Sequence, residues 1–202
     1  MKKLNYKPIL ITTILIIIQS GFYFFSKLVQ STPTMLSSTL DDKIPFINSF
    51  IYPYIIWYLM LFIVPYVVYK YNKNNFYKYC LAYIICVIVS NIIFIVFPTT
   101  IIRAEHLGNG VTNLLVKLIY YLDTPALNCL PSLHCIICFL FIYCSINFKL
   151  PKAFKIITTF LSIIIIISTL FIKQHVIYDV AAAFIISLIS WLISCKYFNK
   201  IS

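Results

Sequence analysis

Six apolar stretches of about 20 residues each are the feature that most restricts how this 202-residue chain can fold. They are Pro8–Phe25, Phe50–Tyr69, Tyr79–Phe97, Ser132–Phe148, Phe154–Ile172 and Val176–Cys195. About 20 apolar residues in a helix cross the hydrocarbon core of a bilayer. A shorter apolar stretch, Gly110–Leu122, contains Lys117 and favours an interfacial helix. The sequence therefore predicts an all-α, polytopic membrane protein with six transmembrane helices, a short interfacial helix before the fourth, and one domain over residues 1–202.

The composition excludes several other classes of protein. Hydrophobic residues make up 62% of the chain and charged residues 10%, against roughly 25% charged residues in soluble domains. A soluble domain of this length could not bury so much apolar surface. The net charge of +11 could suggest nucleic acid, but the basic residues form small clusters between apolar stretches. We therefore expect no nucleic-acid partner and interpret the basic excess as a signal of membrane topology.

The charges predict an orientation. With the N-terminus in the cytoplasm, eleven of the sixteen basic residues lie on the cytoplasmic side: Lys2, Lys3, Lys7, Lys70, Lys73, Lys78, Lys149, Lys152, Lys155, Lys196 and Lys200. All five acidic residues and the three histidines, His106, His134 and His175, then lie outside. The positive-inside rule predicts cytoplasmic N- and C-termini, and any chemistry is gathered on the outer face.

The segment that opens the fourth span contains a candidate anion site. Pro131 suits the first turn of a helix, where a missing N–H costs nothing. The free N–H groups of that turn and the Ser132 hydroxyl would bind an anion, and His134 would reach it. The alternative is a helix cap followed by an interfacial histidine.

The turn between the fifth and sixth spans contains a second candidate. His175 and Asp179 are four residues apart at the start of a helix and share a face. The carboxylate would accept the Nδ1–H of the imidazole and leave Nε2 free as a base or nucleophile. Lys173 adds a cation nearby. The alternative is an interfacial salt link, although ionisable groups at membrane depth generally indicate function.

Arg103, which follows the third span, is the only arginine in the chain. Arginine binds phosphate in a bidentate way that lysine cannot. The alternative for Arg103 is an interfacial anchor. The sequence contains no cluster of carboxylates typical of a divalent-metal site, so we expect no metal and no cofactor.

Together, the three segments resemble the type 2 phosphatidic acid phosphatase (PAP2) superfamily over residues 91 to 183. The second family motif, Pro-Ser-x-His, is present in full at residues 131 to 134. In the third motif Ser168, His175 and Asp179 match, while Thr169 replaces an arginine. In the first motif, Arg103 matches; Ala104 replaces a proline and Val96 a lysine. These departures resemble the bacterial branch related to inositol phosphorylceramide and sphingomyelin synthases.

The resemblance implies an enzyme of the bacterial cell membrane that acts on a lipid phosphate among membrane lipids. It implies that His175 is the nucleophile, that Asp179 holds its tautomer, and that His134 is the general acid and base. Arg103, Ser132 and Lys173 would bind the phosphate oxygens.

Three functions are compatible with these residues. The leading hypothesis is hydrolysis of a lipid phosphomonoester or diphosphate at the outer leaflet through a phosphohistidine. The second is transfer of the phosphoryl group to an alcohol, as in lipid headgroup exchange. The third is an inactive lipid-binding or transport protein, favoured by the missing arginine and lysine.

Overall fold

A computed structural model describes residues 5–105 and 107–201, and seven α-helices lie within these ranges. They are α1 (Lys7–Val29), α2 (Ile51–Tyr71), α3 (Lys73–Val96), α4 (Val111–Leu122), α5 (Leu133–Asn147), α6 (Lys152–Phe171) and α7 (Ile177–Ile201). Each apolar stretch in the sequence corresponds to one of these helices, with ends that differ by a few residues. The predicted helical architecture is confirmed. Lys2, Lys3 and His106 lie outside the described residues.

Five of the described helices are long and apolar enough to cross a membrane. They are α1, α2 with the turn that precedes it, α3, α6 and α7. Helix α5 has 15 residues, which corresponds to about 22 Å, and α4 has 12. The count of six spans and the interfacial position of α4 therefore stay predictions.

Local signals explain where several helices begin and end. Asn72 separates α2 from α3, and its side chain accepts the N–H of Asn75 at 3.1 Å as an N-cap. Pro151 precedes the first residue of α6, where no intrahelical N–H is needed. Lys173 has a φ of 51°, a left-handed conformation that ends α6 and turns the chain into α7.

Helix α5 lies at the centre of the helix packing. It contacts α6, α7 and α3, and α3 in turn packs against α7, α1 and α2. Large side chains such as Phe76, Tyr79 and Phe141 are fully buried between these helices. The outward faces of α1, α2, α6 and α7 instead expose large apolar residues, as expected for surfaces that face lipid.

The segment between α1 and α2 contains structure that the sequence does not predict. Thr34–Met35 (β1) pairs in parallel with Thr99–Thr100 (β2), and Thr100 also bridges to Leu127. Two 3₁₀ turns follow, at Asp41–Lys43 and Asn48–Phe50. The N–H of Ile47 donates to the carbonyl of Phe171 at 3.0 Å. This hydrogen bond holds the segment between α1 and α2 against the end of α6, next to the start of α7.

Candidate active site

His175 and Asp179 form the pair that their spacing predicts. The Nδ1–H of His175 donates to Oδ2 of Asp179 at 3.0 Å. The N–H of Val176 donates to the same oxygen, also at 3.0 Å. Asp179 is fully buried and the His175 side chain is 10% exposed. A carboxylate in this position fixes the imidazole tautomer and leaves Nε2 available for chemistry.

Backbone hydrogen bonds hold this pair against neighbouring elements. The carbonyl of Thr169 accepts the N–H groups of both Gln174 and His175. The first turn of α7 is capped from a distance, since Oδ1 of Asp41 accepts the N–H of Ile177 at 2.9 Å. The pair is thus anchored to the end of α6 and to the segment between α1 and α2.

His134 lies in a slot of aromatic rings from α2. Its ring stacks on Tyr54 with centroids 4.7 Å apart and lies tilted against Trp57 at 4.1 Å. Tyr58 approaches edge-on. The centroids of His134 and His175 are 6.1 Å apart, and Nε2 of His134 has no hydrogen-bond partner among the described residues. The two imidazoles therefore lie close together, and His134 has an unpaired ring nitrogen.

Both histidines line a cavity of about 300 Å³ between α1, α2 and the start of α5. Its walls are mostly apolar and aromatic, with Asp123, Gln174 and Asn128 as polar groups. Burial, aided by the carboxylates of Asp179 and Asp123, raises the pKa of the Cys129 thiol in this wall. That thiol is neutral at ordinary pH and does not compete with histidine as a nucleophile.

Arg103 lies beside the histidines in a network of charged groups. Its guanidinium donates to the carboxylate of Asp123 and, at 2.9 Å, to Oε1 of Gln174. Asp123 also pairs with Lys27 of α1 at 2.8 Å and accepts the hydroxyl of Tyr23. Two cations therefore share one carboxylate, and the group keeps a net positive charge at the rim of the cavity.

Lys173 lies near His175 and is held by backbone carbonyls. Its Nζ donates to the carbonyls of Asp41 at 3.0 Å and Ile44 at 2.6 Å. Lys173, Arg103 and His175 line a second cavity of about 430 Å³ under the segment between α1 and α2. The structure thus brings Arg103 and Lys173 to one side of His175, while His134 lies on the other.

Ser132 has a different setting from the one that the sequence suggests. Its Oγ accepts the N–H of Cys135 at 3.3 Å as the N-cap of α5. Its own N–H donates to the carbonyl of Asp179 at 3.3 Å. Ser132 is fully buried, and among the described residues it lines neither cavity. In this arrangement Ser132 ties α5 to α7, and its contact with phosphate stays a prediction.

The two departures that replace a basic residue of the family motifs also have defined positions. Thr169 is fully buried, and its hydroxyl donates to the carbonyl of Ile166 and lies 3.7 Å from the sulfur of Cys135. Val96, at the end of α3, is 78% exposed. Neither position provides a cation. Among the described residues, the cations that share a cavity wall with His175 are Arg103 and Lys173, and Lys27 is linked to Arg103 through Asp123.

Several site residues were missed by sequence reasoning. Asp123, Lys27 and Gln174 are not among the site residues that the sequence predicts. Tyr54 and Trp57 lie within an apolar stretch, where an aromatic residue carries no sign of its partner. The only available signal was that Asp123 is one of five acidic residues in the chain.

Comparison with known proteins agrees with this geometry. A family model described as the PAP2 superfamily matches residues 28–193. This range includes all three motifs, and with them His134 and His175. No match was found among curated proteins or among solved structures. With five apolar helices of spanning length and a family match over most of its length, the chain is an integral membrane protein that belongs to the PAP2 superfamily.

Proposed function

We propose that this protein is a lipid-phosphate phosphatase that hydrolyses a phosphomonoester or diphosphate of a membrane lipid through a phosphohistidine. Members of the superfamily are generally phosphatases or phosphotransferases. The observation that carries the proposal is the pairing of His175 with buried Asp179, opposite His134 in an apolar cavity.

In the first step, Nε2 of His175 attacks phosphorus and the bond to the lipid oxygen breaks. The Nδ1–H remains bonded to Asp179, whose carboxylate stabilises the positive charge that develops on the ring. His134, as the imidazolium, donates its proton to the departing lipid oxygen. The products are a lipid alcohol and a phosphohistidine.

In the second step, the now neutral His134 removes a proton from water, and the water oxygen attacks phosphorus. The bond from phosphorus to Nε2 of His175 breaks, which releases inorganic phosphate and restores the starting protonation of both rings. The same base can serve both steps because water enters the position that the lipid oxygen leaves.

Arg103 and Lys173 are the cations proposed to bind the equatorial phosphate oxygens. Both line the cavity on the far side of His175, and oxygens held there would leave the lipid oxygen directed toward His134. Arg103 is held by Asp123, so phosphate would share or replace that carboxylate as its partner. Ser132 would contribute through the first turn of α5.

The membrane placement is part of the proposal. Helix α5 is about 22 Å long, shorter than a hydrocarbon core of about 30 Å. As a sixth span it would begin below the outer surface, where irregular backbone is tolerated if it is buried in protein. His134, in its first turn, would then meet phosphate of the outer leaflet. Helix α4 would lie at the interface, with both chain termini in the cytoplasm.

The direct test is hydrolysis of labelled lipid phosphates by the purified protein in mixed micelles. We expect release of inorganic phosphate that is inhibited by vanadate and is unchanged in excess chelator, because the proposed steps use only side chains of the protein. A new phosphodiester in place of phosphate would indicate transfer to an alcohol. Loss of activity on chelation, restored by one metal, would reject the metal-free mechanism, and absence of any product would favour an inactive lipid-binding protein.

The proposed orientation predicts the accessibility of two exposed lysines. In a background without reactive cysteines, we expect Lys43→Cys to react with an impermeant thiol reagent added outside intact cells. Lys152→Cys, before α6, should react only after the membrane is permeabilised. Outside labelling of Lys152→Cys, with Lys43→Cys protected, would invert the topology and place the histidines on the cytoplasmic side.

Asp179→Asn should reduce turnover by roughly 10²- to 10³-fold. The imidazole nucleophile survives, but an amide no longer selects its tautomer or stabilises its cation. Initial rates of phosphate release measure the effect. Glu105→Gln, which neutralises an exposed acid that lines neither cavity, should retain near wild-type rates. Equal activity of Asp179→Asn and wild type would remove the carboxylate from the mechanism.

A further inference from the structure

Gln174, the residue before the proposed nucleophile, has an amide whose orientation is fixed by its partner. Its side chain lines the cavity of the two histidines, and the residue is only 3% exposed. The amide oxygen accepts a hydrogen bond from Nη2 of Arg103 at 2.9 Å. Because a guanidinium offers only donors, this bond requires the oxygen to face Arg103 and the amide nitrogen to face elsewhere.

The amide nitrogen of Gln174 is a buried donor without an acceptor. Among the described residues, no atom accepts a hydrogen bond from this Nε2. Two more buried nitrogens of the same site are also unpaired, Nε of Arg103 and Nε2 of His134. A buried polar group that stays unpaired costs free energy, so a ligand that supplies acceptor oxygens there is favoured. Together these nitrogens indicate an oxyanion, which offers acceptor oxygens on several sides.

Gln174 also lies between the two cavities of the site. It lines the cavity of the histidines, its partner Arg103 lines the second cavity, and His175 lines both. The backbone holds this position, because the N–H groups of Gln174 and His175 donate to the carbonyl of Thr169 at 2.9 and 3.1 Å. A phosphoryl group under attack by His175 would therefore lie beside the Gln174 amide.

We propose that Gln174 is a phosphate-binding residue whose Nε2–H donates to an equatorial oxygen of the phosphoryl group, while its Oε1 keeps Arg103 in place. The inference rests on the proposed function in placing the phosphoryl group at His175. No bond to Gln174 forms or breaks during the reaction. A preorganised donor of this kind stabilises the charge that develops on the oxygen, and it does so without adding a further cation.

Orthovanadate tests the contact without turnover, because it adopts the five-coordinate geometry of a phosphoryl group under attack. Its binding to the purified protein in neutral detergent micelles is measured by equilibrium dialysis. Gln174→Met keeps the length of the side chain and removes both the donor and the acceptor. Gln174→Glu keeps an acceptor for Arg103 and replaces the donor with an anionic oxygen.

We expect Gln174→Met to bind vanadate roughly 10²-fold more weakly than wild type, as for the loss of one donor to an oxyanion. Gln174→Glu should bind at least as weakly, although its contact with Arg103 is kept, because a carboxylate repels the anion. The control is Asn109→Asp, an amide-to-acid change at an exposed residue that lines neither cavity. It should keep the wild-type affinity.

A second comparison separates contact with the phosphoryl group from orientation of Arg103. In an Arg103→Ala background no guanidinium remains to be oriented, so Gln174→Met should still weaken vanadate binding by roughly tenfold or more. No further loss in that background would show that Gln174 acts only by holding Arg103, and would overturn the inference. This comparison also decides the matter if Gln174→Glu fails to fold.

Vanadate affinity of Gln174→Glu equal to that of wild type would overturn the inference, as would absence of vanadate binding to wild type. Lipid-phosphate hydrolysis by the same preparations separates the two proposals. Hydrolysis by wild type, with unchanged vanadate binding in both Gln174 variants, would reject the role of Gln174 and leave the proposed function standing. Vanadate binding that depends on Gln174, without hydrolysis of any lipid phosphate, would reject the phosphatase and retain the oxyanion site.

Discussion

Replacement of His175 by alanine is expected to abolish the phosphoenzyme and to lower lipid-phosphate hydrolysis on the order of 10⁴-fold or more. The reason is geometric. Asp179 is buried and its carboxylate bonds Nδ1 of His175, so the opposite nitrogen is the one presented to a ligand. His134 has no such carboxylate partner among the described residues and is poorly suited to carry positive charge on a phosphorylated ring.

The measurement is rapid acid-free quenching during turnover of labelled substrate, followed by mass spectrometry of histidine-containing peptides. His106→Ala, which changes the one histidine outside the conserved motifs of the family, is the matched control and should retain the label. Phosphate found on His134, or a phosphohistidine that still forms in His175→Ala, would show that the roles of the two histidines are assigned incorrectly.

The features that were predictable from sequence are those set by local spacing. The i, i+4 separation of His175 and Asp179 predicted that their side chains would meet, and they do. The contact is nevertheless not one of a shared helix face, because α7 begins at Ile177 and His175 lies two residues before it. The apolar stretches likewise mark the helices, since a membrane span must satisfy its backbone internally. Family membership followed from three ordered motifs, and the family match confirms it at the level of the superfamily. The branch related to sphingomyelin synthases stays a prediction.

The features that were not predictable depend on contacts between remote segments. His134 is held by Tyr54 and Trp57, but in an apolar stretch aromatic residues that face lipid and those that face a site have the same pattern. The two-residue strands are too short to show any alternation. Helix α5 has only 15 residues, because Ser132 and Phe148, the two ends of its apolar stretch, are its N-cap and C-cap.

The partners of the cations illustrate the same limit. Lys173 is near His175 in sequence, which suggested a phosphate ligand, yet its ammonium bonds carbonyls at Asp41 and Ile44. Arg103 shares Asp123 with Lys27 of α1. The pairings of the two lysines connect residues 96 to 132 positions apart, and a single sequence contains no record of them. They also define which donors of the cations are already hydrogen-bonded before a phosphate arrives.

The second large effect concerns His134 and depends on the leaving group. With an alkyl lipid phosphate, His134→Ala should lose roughly 10²- to 10⁴-fold in rate, because the departing alkoxide needs a proton. With nitrophenyl phosphate, whose leaving group is stable without protonation, phosphorylation of His175 should remain near the wild-type rate. Hydrolysis of the phosphohistidine still lacks its base, so the phosphoenzyme should accumulate.

Because the His134 ring fills the slot between Tyr54 and Trp57, alanine also leaves a gap there. His134→Phe keeps an aromatic ring in the slot and removes only the proton carrier, so it separates packing from chemistry. If His134 is the general acid and base, both variants should show the same burst of nitrophenolate, equal to about one per active site, followed by slow turnover. A burst that is lost in both would mean that His134 is needed for attack on phosphorus. Full turnover in His134→Phe would mean that the ring has only a packing role, and that water and the departing oxygen exchange protons with another group.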